Sequence, residues 1–287
     1  MSSSQEINRV AVVGGGLMGS GIAESVARAG ISVILRDVDQ RAIDRAAGRL
    51  ESSLARAVKG GKLEEAQAAA IRGRIALTTD LAQIGDAELV IEAVPEDEQL
   101  KLSVLAAIGE IASAEAIVAS NTSSIPITQL AQAVPGPRRV LGLHFFSPVP
   151  VMSLVEIVVA LDTDAATVAA ARAFVERLRK TAIETRDRAG FVVNMLLVPY
   201  LLAAVRMFED GFATAADIDT GMKLGCAHPM GPLELTDFIG LDVIYGVAVS
   251  LYDEFKREEY SAPPLLKRMV AAGRLGRKSG RGFYEYG

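Results

Sequence analysis

Short apolar runs without polar alternation recur through the first 160 residues. Residues 9–14 (RVAVVG) and 32–37 (SVILRD) are the first two of them. Such runs are typical of parallel strands that are buried on both faces of a sheet. Further runs predict strands at 75–78, 89–94, 117–120 and 140–144. Because helical patterns separate most of these runs, the sequence predicts an α/β fold with a doubly wound sheet.

The connection between residues 37 and 75 is longer than a plain crossover requires. It has room for two helices, at about 40–58 and 63–72, with a break at Gly60 and Gly61. This predicts an inserted helical hairpin. The hairpin carries six basic residues, namely Arg41, Arg45, Arg49, Arg56, Lys59 and Lys62. It is either an insertion that grips a ligand or a solvated basic face of two amphipathic helices.

From residue 190 onward the pattern is helical throughout. Helical periodicity covers 191–209, 215–224, 233–239, 241–255 and 264–272, and no β-rich run interrupts it. The sequence therefore predicts two domains: a Rossmann-type domain at residues 1–188 and an all-helical C-terminal domain at 189–287.

Composition narrows the class of protein. The 287 residues are 50% hydrophobic and 23% charged, which is ordinary for a globular protein and excludes a disordered chain. A net charge of −5 argues against wholesale nucleic-acid binding. The single cysteine, Cys226, excludes an internal disulfide, and no Cys/His cluster suited to a metal is present.

The location of the protein follows from two further features. The N-terminal segment lacks the basic start and apolar stretch of a secretion signal. The longest uncharged apolar stretch, 191–205, is too short to span a membrane. We therefore expect a cytoplasmic protein without a membrane partner.

The sequence GGGLMG directly follows the first predicted strand and opens a helix, in the pattern G-x-G-x-x-G. In this pattern Gly14 allows a tight turn, Gly16 lets a pyrophosphate approach the backbone, and Gly19 allows close helix packing. The amides near Leu17 and Met18 begin the helix and can bind phosphate. The motif therefore predicts a dinucleotide site.

An acidic residue, Asp37, ends the second predicted strand. Its carboxylate should accept hydrogen bonds from the adenosine ribose hydroxyls and repel a 2′-phosphate, which favours NAD over NADP. Arg36 beside it leaves NADP open as an alternative. A glycine turn without any ligand is the structural alternative.

Only two histidines, His144 and His228, are available as a base near neutral pH. His144 ends an apolar strand, and Glu156 lies in a second apolar run, 154–159. If the chain reverses about Pro150, the two side chains face one another across neighbouring strands. A carboxylate beside an imidazole orients the ring and favours its protonated form, as a dehydrogenase requires. The alternative is a packed histidine and a surface glutamate; His228, before Pro229, is interpreted as structural.

The motifs together resemble those of the 3-hydroxyacyl-CoA dehydrogenase family, and especially its short, stand-alone 3-hydroxybutyryl-CoA members. The resemblance runs from about residue 8 to the C-terminus. It rests on six stretches in the family's order: VGGGLMGSGIA, SNTSSIPIT, GLHFFSPVPVMSLVEIV, GFVVNMLLVPYL, KLGCAHPMGPLELTDFIGLDV and GRKSGRGFYEY. It implies NAD-dependent oxidation of (S)-3-hydroxyacyl-CoA to 3-oxoacyl-CoA and the reverse reaction.

The resemblance also implies roles for four residues in the reaction. His144 corresponds to the family's catalytic histidine and Glu156 to its carboxylate partner. Ser123 corresponds to the serine that contacts the substrate oxygen. Asn194 corresponds to the asparagine that helps to fix the catalytic group across the domain junction. Structural alternatives are a local turn before Pro126 for Ser123 and a buried amide for Asn194.

Four further residues match binding positions of the family. Glu96 and Lys101 match positions near the nicotinamide half of NAD. Lys59 and Lys62 fall where the inserted hairpin meets coenzyme A. The alternatives are a surface pair at a helix start for Glu96 and Lys101, and solvated side chains for the two hairpin lysines.

Two positions depart from the family. Ser147 and Met195 stand where the family usually has asparagine and arginine, and either change could alter acyl preference or domain closure. The resemblance further implies a homodimer formed through the C-terminal helices. The rival functions are a hydroxy-acid or sugar-acid dehydrogenase of the same build, and a dinucleotide-binding protein without activity.

Overall fold

The computed structural model describes residues 6–287. Two compact units make up the chain, with the division between Arg188 and Ala189. The first unit is a sheet covered by helices, and the second is built from helices.

One eight-stranded sheet organises the first unit. Its strands are β1 (Arg9–Val13), β2 (Ser32–Arg36), β3 (Ile75–Thr78), β4 (Leu89–Glu92), β5 (Ile117–Ser120), β6 (Val140–Phe145), β7 (Leu154–Val159) and β8 (Thr181–Arg186). They lie side by side in the order β3-β2-β1-β4-β5-β6-β7-β8. Neighbouring strands are parallel except β6 and β7, which are antiparallel. Because the chain turns from one side of β1 to the other, a ligand is expected at the C-terminal strand ends beside β1 and β4.

Six α-helices lie in the described part of this unit, residues 6–188. They are α1 (Leu17–Arg28), α2 (Gln40–Lys59), α3 (Glu65–Gly73), α4 (Glu98–Ile111), α5 (Ile127–Ala131) and α6 (Ala165–Arg177). Helices α2 and α3 form the predicted hairpin between β2 and β3. Helix α2 buries one stripe at helical spacing, including Ile43, Leu50 and Leu54, while its arginines occupy the remaining surface.

The second unit has five α-helices. They are α7 (Val193–Glu209), α8 (Ala215–Gly225), α9 (Pro232–Ile239), α10 (Leu241–Phe255) and α11 (Pro264–Ala271). Aliphatic side chains such as Leu201, Val205 and Leu251 form a core of their own. Within residues 6–287 no single helix is long and apolar enough to cross a membrane, although α9 and α10, bent by 97° at their junction, meet that test together.

Strand β8 has no counterpart among the strands predicted from the sequence. It lies at the edge of the sheet and pairs only with β7. Its sequence, TAIETR, has only two apolar residues, which are adjacent, and each of its positions is exposed or half-buried. An apolar run, which identified the central strands, is therefore absent from this edge strand.

Candidate active site

The glycine motif that joins β1 to α1 leaves no room for a Cβ at three positions, Gly14, Gly15 and Gly19; at Gly15 it would lie 2.8 Å from the Cβ of Ala46. Gly14 has a φ of +106°, and a Cβ there would lie 2.6 Å from the carbonyl oxygen of Ala93. A Cβ at Gly19 would lie 1.7 Å from the carbonyl oxygen of Gly14. Gly16 differs, because a Cβ there would meet no atom within 4 Å. The open side of Gly16 is where a pyrophosphate can approach the backbone.

Helix α1 begins at Leu17, directly after Gly16, and no side chain caps its N-terminus. Its first turn, with Leu17 and Met18, contains no acidic residue that would repel a phosphate. The first amide groups of a helix have no partner inside the helix and carry a partial positive charge. The loop and helix start therefore fit the pyrophosphate of NAD.

The carboxylate of Asp37 holds the middle of this loop. Its Oδ2 accepts a hydrogen bond from the Gly15 amide at 2.7 Å, and its Oδ1 accepts one from the Val38 amide at 2.6 Å. Each carboxylate oxygen retains a second lone pair for a ribose hydroxyl. Arg36 donates from Nε to the carbonyl oxygen of Thr79 at 3.2 Å.

His144 and Glu156 are directly opposite each other on β6 and β7, as the reversal about Pro150 predicted. The His144 Nδ1 and Glu156 Oε2 atoms are 2.6 Å apart, and the two side chains are 8% and 0% exposed. Since a carboxylate can only accept, Nδ1 carries the proton and the lone pair of the neutral ring lies on Nε2. The ring also packs edge-on against Phe146. Glu156 is thus a buried partner of the imidazole.

Lys180 closes the reversal that brings the two strands together. Its ammonium group donates to the carbonyl oxygens of Val149 and Met152, at 2.6 Å each. Burial lowers the pKa of Lys180, and the neighbouring positive charge of Arg28 lowers it further. Sequence reasoning missed this residue, because a lysine 28 residues beyond the turn carries no local signal.

Ser123 lies in the segment that follows β5, in contact with Glu96. Oε1 of Glu96 accepts from the Ser123 amide at 2.8 Å and from its hydroxyl at 3.2 Å. The same oxygen accepts from the Thr122 hydroxyl at 2.6 Å and from the amide and hydroxyl of Ser124. Burial alone would raise the pKa of Glu96, but Lys101 and these hydrogen bonds outweigh it and hold the pKa below its ordinary value. Glu96 is therefore ionised near neutral pH.

Lys101 is 1% exposed, so it does not form the surface pair considered above as an alternative. Its Nζ lies 3.4 Å from Oε2 of Glu96 and 2.8 Å from Oε1 of Glu92. Glu92, the last residue of β4, is fully buried and was not among the residues predicted from the sequence. Its signal was a charged residue that ends an otherwise apolar strand, LVIE.

Helix α2 lines a cleft of about 560 Å³ in the first unit, together with α1 and residues 147–150. Arg45, Arg49, Arg56 and Ser147 contribute to its wall, as does Glu24, whose charge is paired with Arg28. Lys59, the last residue of α2, and Lys62, which follows the helix, are both exposed and do not line this cleft. The positive charge of the cleft therefore comes from arginines.

Asn194 is the second residue of α7 and is half-buried within the second unit. Its placement across the domain junction from His144 stays a prediction.

The second histidine, His228, contacts Tyr200, with 3.2 Å between Nδ1 and the phenol oxygen. Within residues 6–287 no group of three or more His, Cys, Asp or Glu residues is placed to hold a metal ion.

Two sequence profiles of one enzyme family cover nearly the whole chain. The NAD binding domain of 3-hydroxyacyl-CoA dehydrogenase matches residues 9–188, and the C-terminal domain of 3-hydroxyacyl-CoA dehydrogenase matches residues 190–286. The 3-hydroxybutyryl-CoA dehydrogenase of Mycobacterium tuberculosis is 50% identical over 285 residues, which cover 99% of this chain and 100% of the relative.

Solved structures give the same result. The crystal structure of FadB2 from M. tuberculosis has a TM-score of 0.97 at 50% identity, over 99% of this chain and 100% of that one. That of (S)-3-hydroxybutyryl-CoA dehydrogenase PaaH1 from Ralstonia eutropha has a TM-score of 0.93 at 43% identity, over 98% and 100%. This chain therefore belongs to the 3-hydroxyacyl-CoA dehydrogenase family of NAD-dependent enzymes.

Proposed function

We propose that this protein interconverts (S)-3-hydroxybutyryl-CoA and acetoacetyl-CoA, with NAD as the hydride carrier. The observation that carries the proposal is the buried His144–Glu156 pair on the same sheet as a glycine loop suited to a dinucleotide. Since β1, β4, β5 and β6 run parallel, the glycine loop, Glu96, Ser123 and His144 follow or end strands at one edge of the sheet. Cofactor and acid–base groups of a dehydrogenase need this common edge.

His144 is the acid–base group of the proposed reaction. In the oxidation, its Nε2 takes the proton of the 3-hydroxyl as the carbonyl bond forms and hydride leaves the same carbon. The Glu156 carboxylate fixes Nδ1 as the donor and balances the charge of the imidazolium. In the reduction, the imidazolium returns its proton to the oxygen of the 3-oxo group. NAD supplies the hydride acceptor, and NADH the donor, when bound.

Ser123 and Asn194 orient the reacting oxygen in this mechanism. The Ser123 hydroxyl has a single proton, which it donates to Glu96 at 3.2 Å, and in this mechanism it turns from Glu96 to donate to the reacting oxygen. Support for Ser123 comes from the contact of its amide with Glu96, which fixes the backbone that carries the hydroxyl. For Asn194, support comes from the family resemblance alone.

The remaining residues bind the cofactor in this proposal. Glu96 and Lys101 flank the nicotinamide, and Asp37 binds the ribose. The pyrophosphate loop is shaped by Gly14, Gly16 and Gly19.

The substrate is proposed to be an acyl-CoA because α2 offers clustered positive charge to a polyanion. Arg45, Arg49 and Arg56 line its cleft, and Lys59 and Lys62 extend the positive charge beyond it. Arginine forms paired hydrogen bonds with phosphate oxygens, whereas lysine acts as a point charge. We propose that the arginines take the phosphates of coenzyme A and that the lysines strengthen the attraction.

The decisive experiment is steady-state reduction of acetoacetyl-CoA by NADH, with His144→Gln as the test variant. General acid–base catalysis contributes about 10²–10⁴-fold, so the variant should lose kcat on that scale while it still binds NADH. A series of 3-oxoacyl-CoA chain lengths, each with NADH and NADPH, defines the acyl and cofactor preferences. Near-normal turnover by His144→Gln would contradict the proposal.

The same assay separates the rival functions. A hydroxy-acid or sugar-acid dehydrogenase of the same build would reduce free acetoacetate as well as the thioester. A dinucleotide-binding protein without activity would bind NADH and turn over neither compound. Charge reversal at Arg45 and Arg56, which line the cleft, should raise the KM for acetoacetyl-CoA but leave that for NADH unchanged, which tests the proposed CoA contact directly. Arg49 is left intact because it donates to the Gly15 carbonyl of the glycine loop.

We further propose that residues 1–188 form the NAD-binding domain and that residues 189–287 form a wall of the substrate cleft and a dimer interface. Large apolar side chains exposed on the second unit, such as Leu196, Phe212 and Leu224, support a homodimer formed through this domain. A cytoplasmic location without a membrane or nucleic-acid partner completes the proposal. The single, exposed Cys226 fits a reducing compartment, and cell fractionation tests the location.

A further inference from the structure

Glu92 is a buried charge for which the reaction described above has no use. Its side chain is fully buried at the end of β4, and Lys101, its counter-ion, is 1% exposed. A buried ion pair contributes little net stability, because removing both charges from water opposes their attraction. The role of this pair therefore lies in what it holds in place.

Two chains of contacts lead from the Glu92 carboxylate to the segment that carries Ser123. On one side, Oε1 accepts from Lys101, and Lys101 in turn lies 3.4 Å from the Glu96 carboxylate that binds Ser123. On the other side, Oε2 accepts from the Ser120 hydroxyl at 2.6 Å, and that hydroxyl accepts from the Thr122 amide at 3.3 Å. The two chains reach the 120–124 segment from both of its ends.

From this network we infer that Glu92 is a positioning residue that fixes the backbone segment carrying Ser123 for the reaction. The inference rests on the proposed function, because Ser123 has its role only there. Glu92 does not touch the substrate oxygen in this scheme and acts through Lys101 and Glu96. Its carboxylate also accepts from the Val94 amide at 2.7 Å and so fixes the loop that carries Glu96.

The charge balance explains why a neutral side chain cannot replace Glu92. Lys101 lies between two carboxylates, at 2.8 Å from Glu92 and 3.4 Å from Glu96. Without the negative charge of Glu92, the buried ammonium would draw Glu96 toward itself. Glu96 would then move away from the amides and hydroxyls of the 122–124 segment.

The first test is hydrogen–deuterium exchange of the Ser123 and Ser124 amides in Glu92→Gln. Both amides donate to Glu96, so we expect them to exchange about tenfold faster in the variant than in the wild type. Asp237→Asn is the matched control, because it also neutralises a buried carboxylate but lies in the other unit. Unchanged exchange at Ser123 and Ser124 would overturn the inference, whether or not the enzyme is active.

The second test is a double-mutant cycle on kcat for acetoacetyl-CoA. Misplacement of a reacting group by about 1 Å costs on the order of 10²-fold, so Glu92→Gln should lower kcat by about 10- to 100-fold. If Glu92 acts through Ser123, the double variant Glu92→Gln/Ser123→Ala should turn over within about threefold of Ser123→Ala alone. Effects that multiply would overturn the inference.

Two further variants keep the inference testable if Glu92→Gln does not fold. Ser120→Ala cuts only the second chain of contacts and should still speed exchange at the Thr122 amide. Glu92→Gln/Lys101→Met removes both buried charges, so the fold should recover. Because the ammonium that would draw Glu96 away is then gone, exchange at the Ser123 and Ser124 amides should return toward the wild-type rate, and exchange as fast as in Glu92→Gln would contradict the charge balance. A wild-type protein that does not reduce acetoacetyl-CoA would refute the proposed function, and the exchange experiment would still decide the role of Glu92.

Discussion

Gly16 and Gly19 belong to the same motif, but the surroundings of their α-carbons differ. Gly19 lies against the Gly14 carbonyl, whereas the space beside Gly16 is open within the first unit. At the residue scale, one glycine is thus required by the fold and the other by the cofactor. The motif alone does not separate these two requirements.

Gly16→Ala should therefore fold normally and bind NADH poorly. Its φ of −65° suits alanine, so the melting temperature should change little. The added methyl group would stand where the pyrophosphate approaches, and we expect the Kd for NADH to rise by about tenfold or more. Calorimetric titration measures it, with Gly221→Ala in α8 as the control, which adds a methyl group in open space and should leave the Kd unchanged. An unchanged Kd would place the pyrophosphate elsewhere.

Glu156→Gln keeps the shape of the side chain that faces His144 but removes its charge. The imidazolium then loses its counter-charge, and the ring loses the partner that fixes its tautomer. We therefore expect kcat to fall by about 10²-fold or more. Glu184→Gln on the neighbouring strand β8 is the matched control, since its carboxylate pairs with Arg172 at the surface. Equal activities of the two variants in the acetoacetyl-CoA assay would refute the role of Glu156.

At the scale of elements, two buried aspartates hold the C-terminal segment of the second unit. Asp219 accepts from the Tyr284 hydroxyl at 2.7 Å, and Asp237 accepts from the Tyr286 hydroxyl at 2.9 Å. Asp237 also accepts from the amides of Phe283 and Tyr284. The segment after α11 is thus anchored although it contains no helix of more than three residues.

This anchoring predicts a loss of stability in alkaline solution. Burial and the hydrogen bond to Asp237 raise the pKa of Tyr286 to about 12, and burial with the bond to Asp219 raises that of Tyr284 further. A tyrosine whose pKa is raised by folding contributes its full stabilisation at pH values below its ordinary pKa of 10. This contribution to the free energy of unfolding is lost as the pH rises toward 12.

Urea unfolding of the wild type and of Tyr284→Phe/Tyr286→Phe from pH 8 to 12 tests this prediction. The difference in their free energies of unfolding should be constant up to about pH 9 and shrink between pH 10 and 12. The difference isolates the two tyrosines, because all other titrating groups are common to both proteins. A constant difference up to pH 12 would contradict the prediction.

At the scale of the whole molecule, the exposed apolar surface of the second unit predicts self-association. Phe212 is 77% exposed and lies beside Met207 in a shallow cleft with Arg206 and Asp210. Contiguous apolar surface of this kind usually marks an interface. A dimer would bury these side chains in a second copy of the same domain.

Sedimentation equilibrium should give twice the chain mass of 30.3 kDa. Phe212→Asp should weaken the dimer, because it would place a charge in an apolar contact. Leu161→Asp is the control, since Leu161 is 86% exposed but belongs to the first unit. A monomeric wild type would refute the dimer. Equal dimerisation of the two variants would show that Phe212 does not lie in the interface.

The sequence by itself determined the central strands, the glycine loop, the inserted hairpin and the helical second unit. These features depend on local patterns of apolar residues and glycines, which neighbouring residues specify. The opposition of His144 and Glu156 was also predictable, because a single turn fixes the register of two adjacent strands. The edge strand β8 was not, since its exposed positions carry no apolar run.

Only the tertiary structure decided which distant side chains share one site. Glu92 and Lys101 lie nine residues apart, but the role of this pair depends on Ser120, at the end of the next strand, and on Ser123, which follows that strand. Lys180 acts on a turn almost thirty residues earlier. Arg45, Arg49 and Arg56 of α2 line the cleft, whereas Lys59 and Lys62 do not. The rotation of a helix about its own axis, which is set by packing against its neighbours, decides which of its positions face a cleft. Contacts of this kind arise from the packing of elements, and no local pattern in the sequence encodes them.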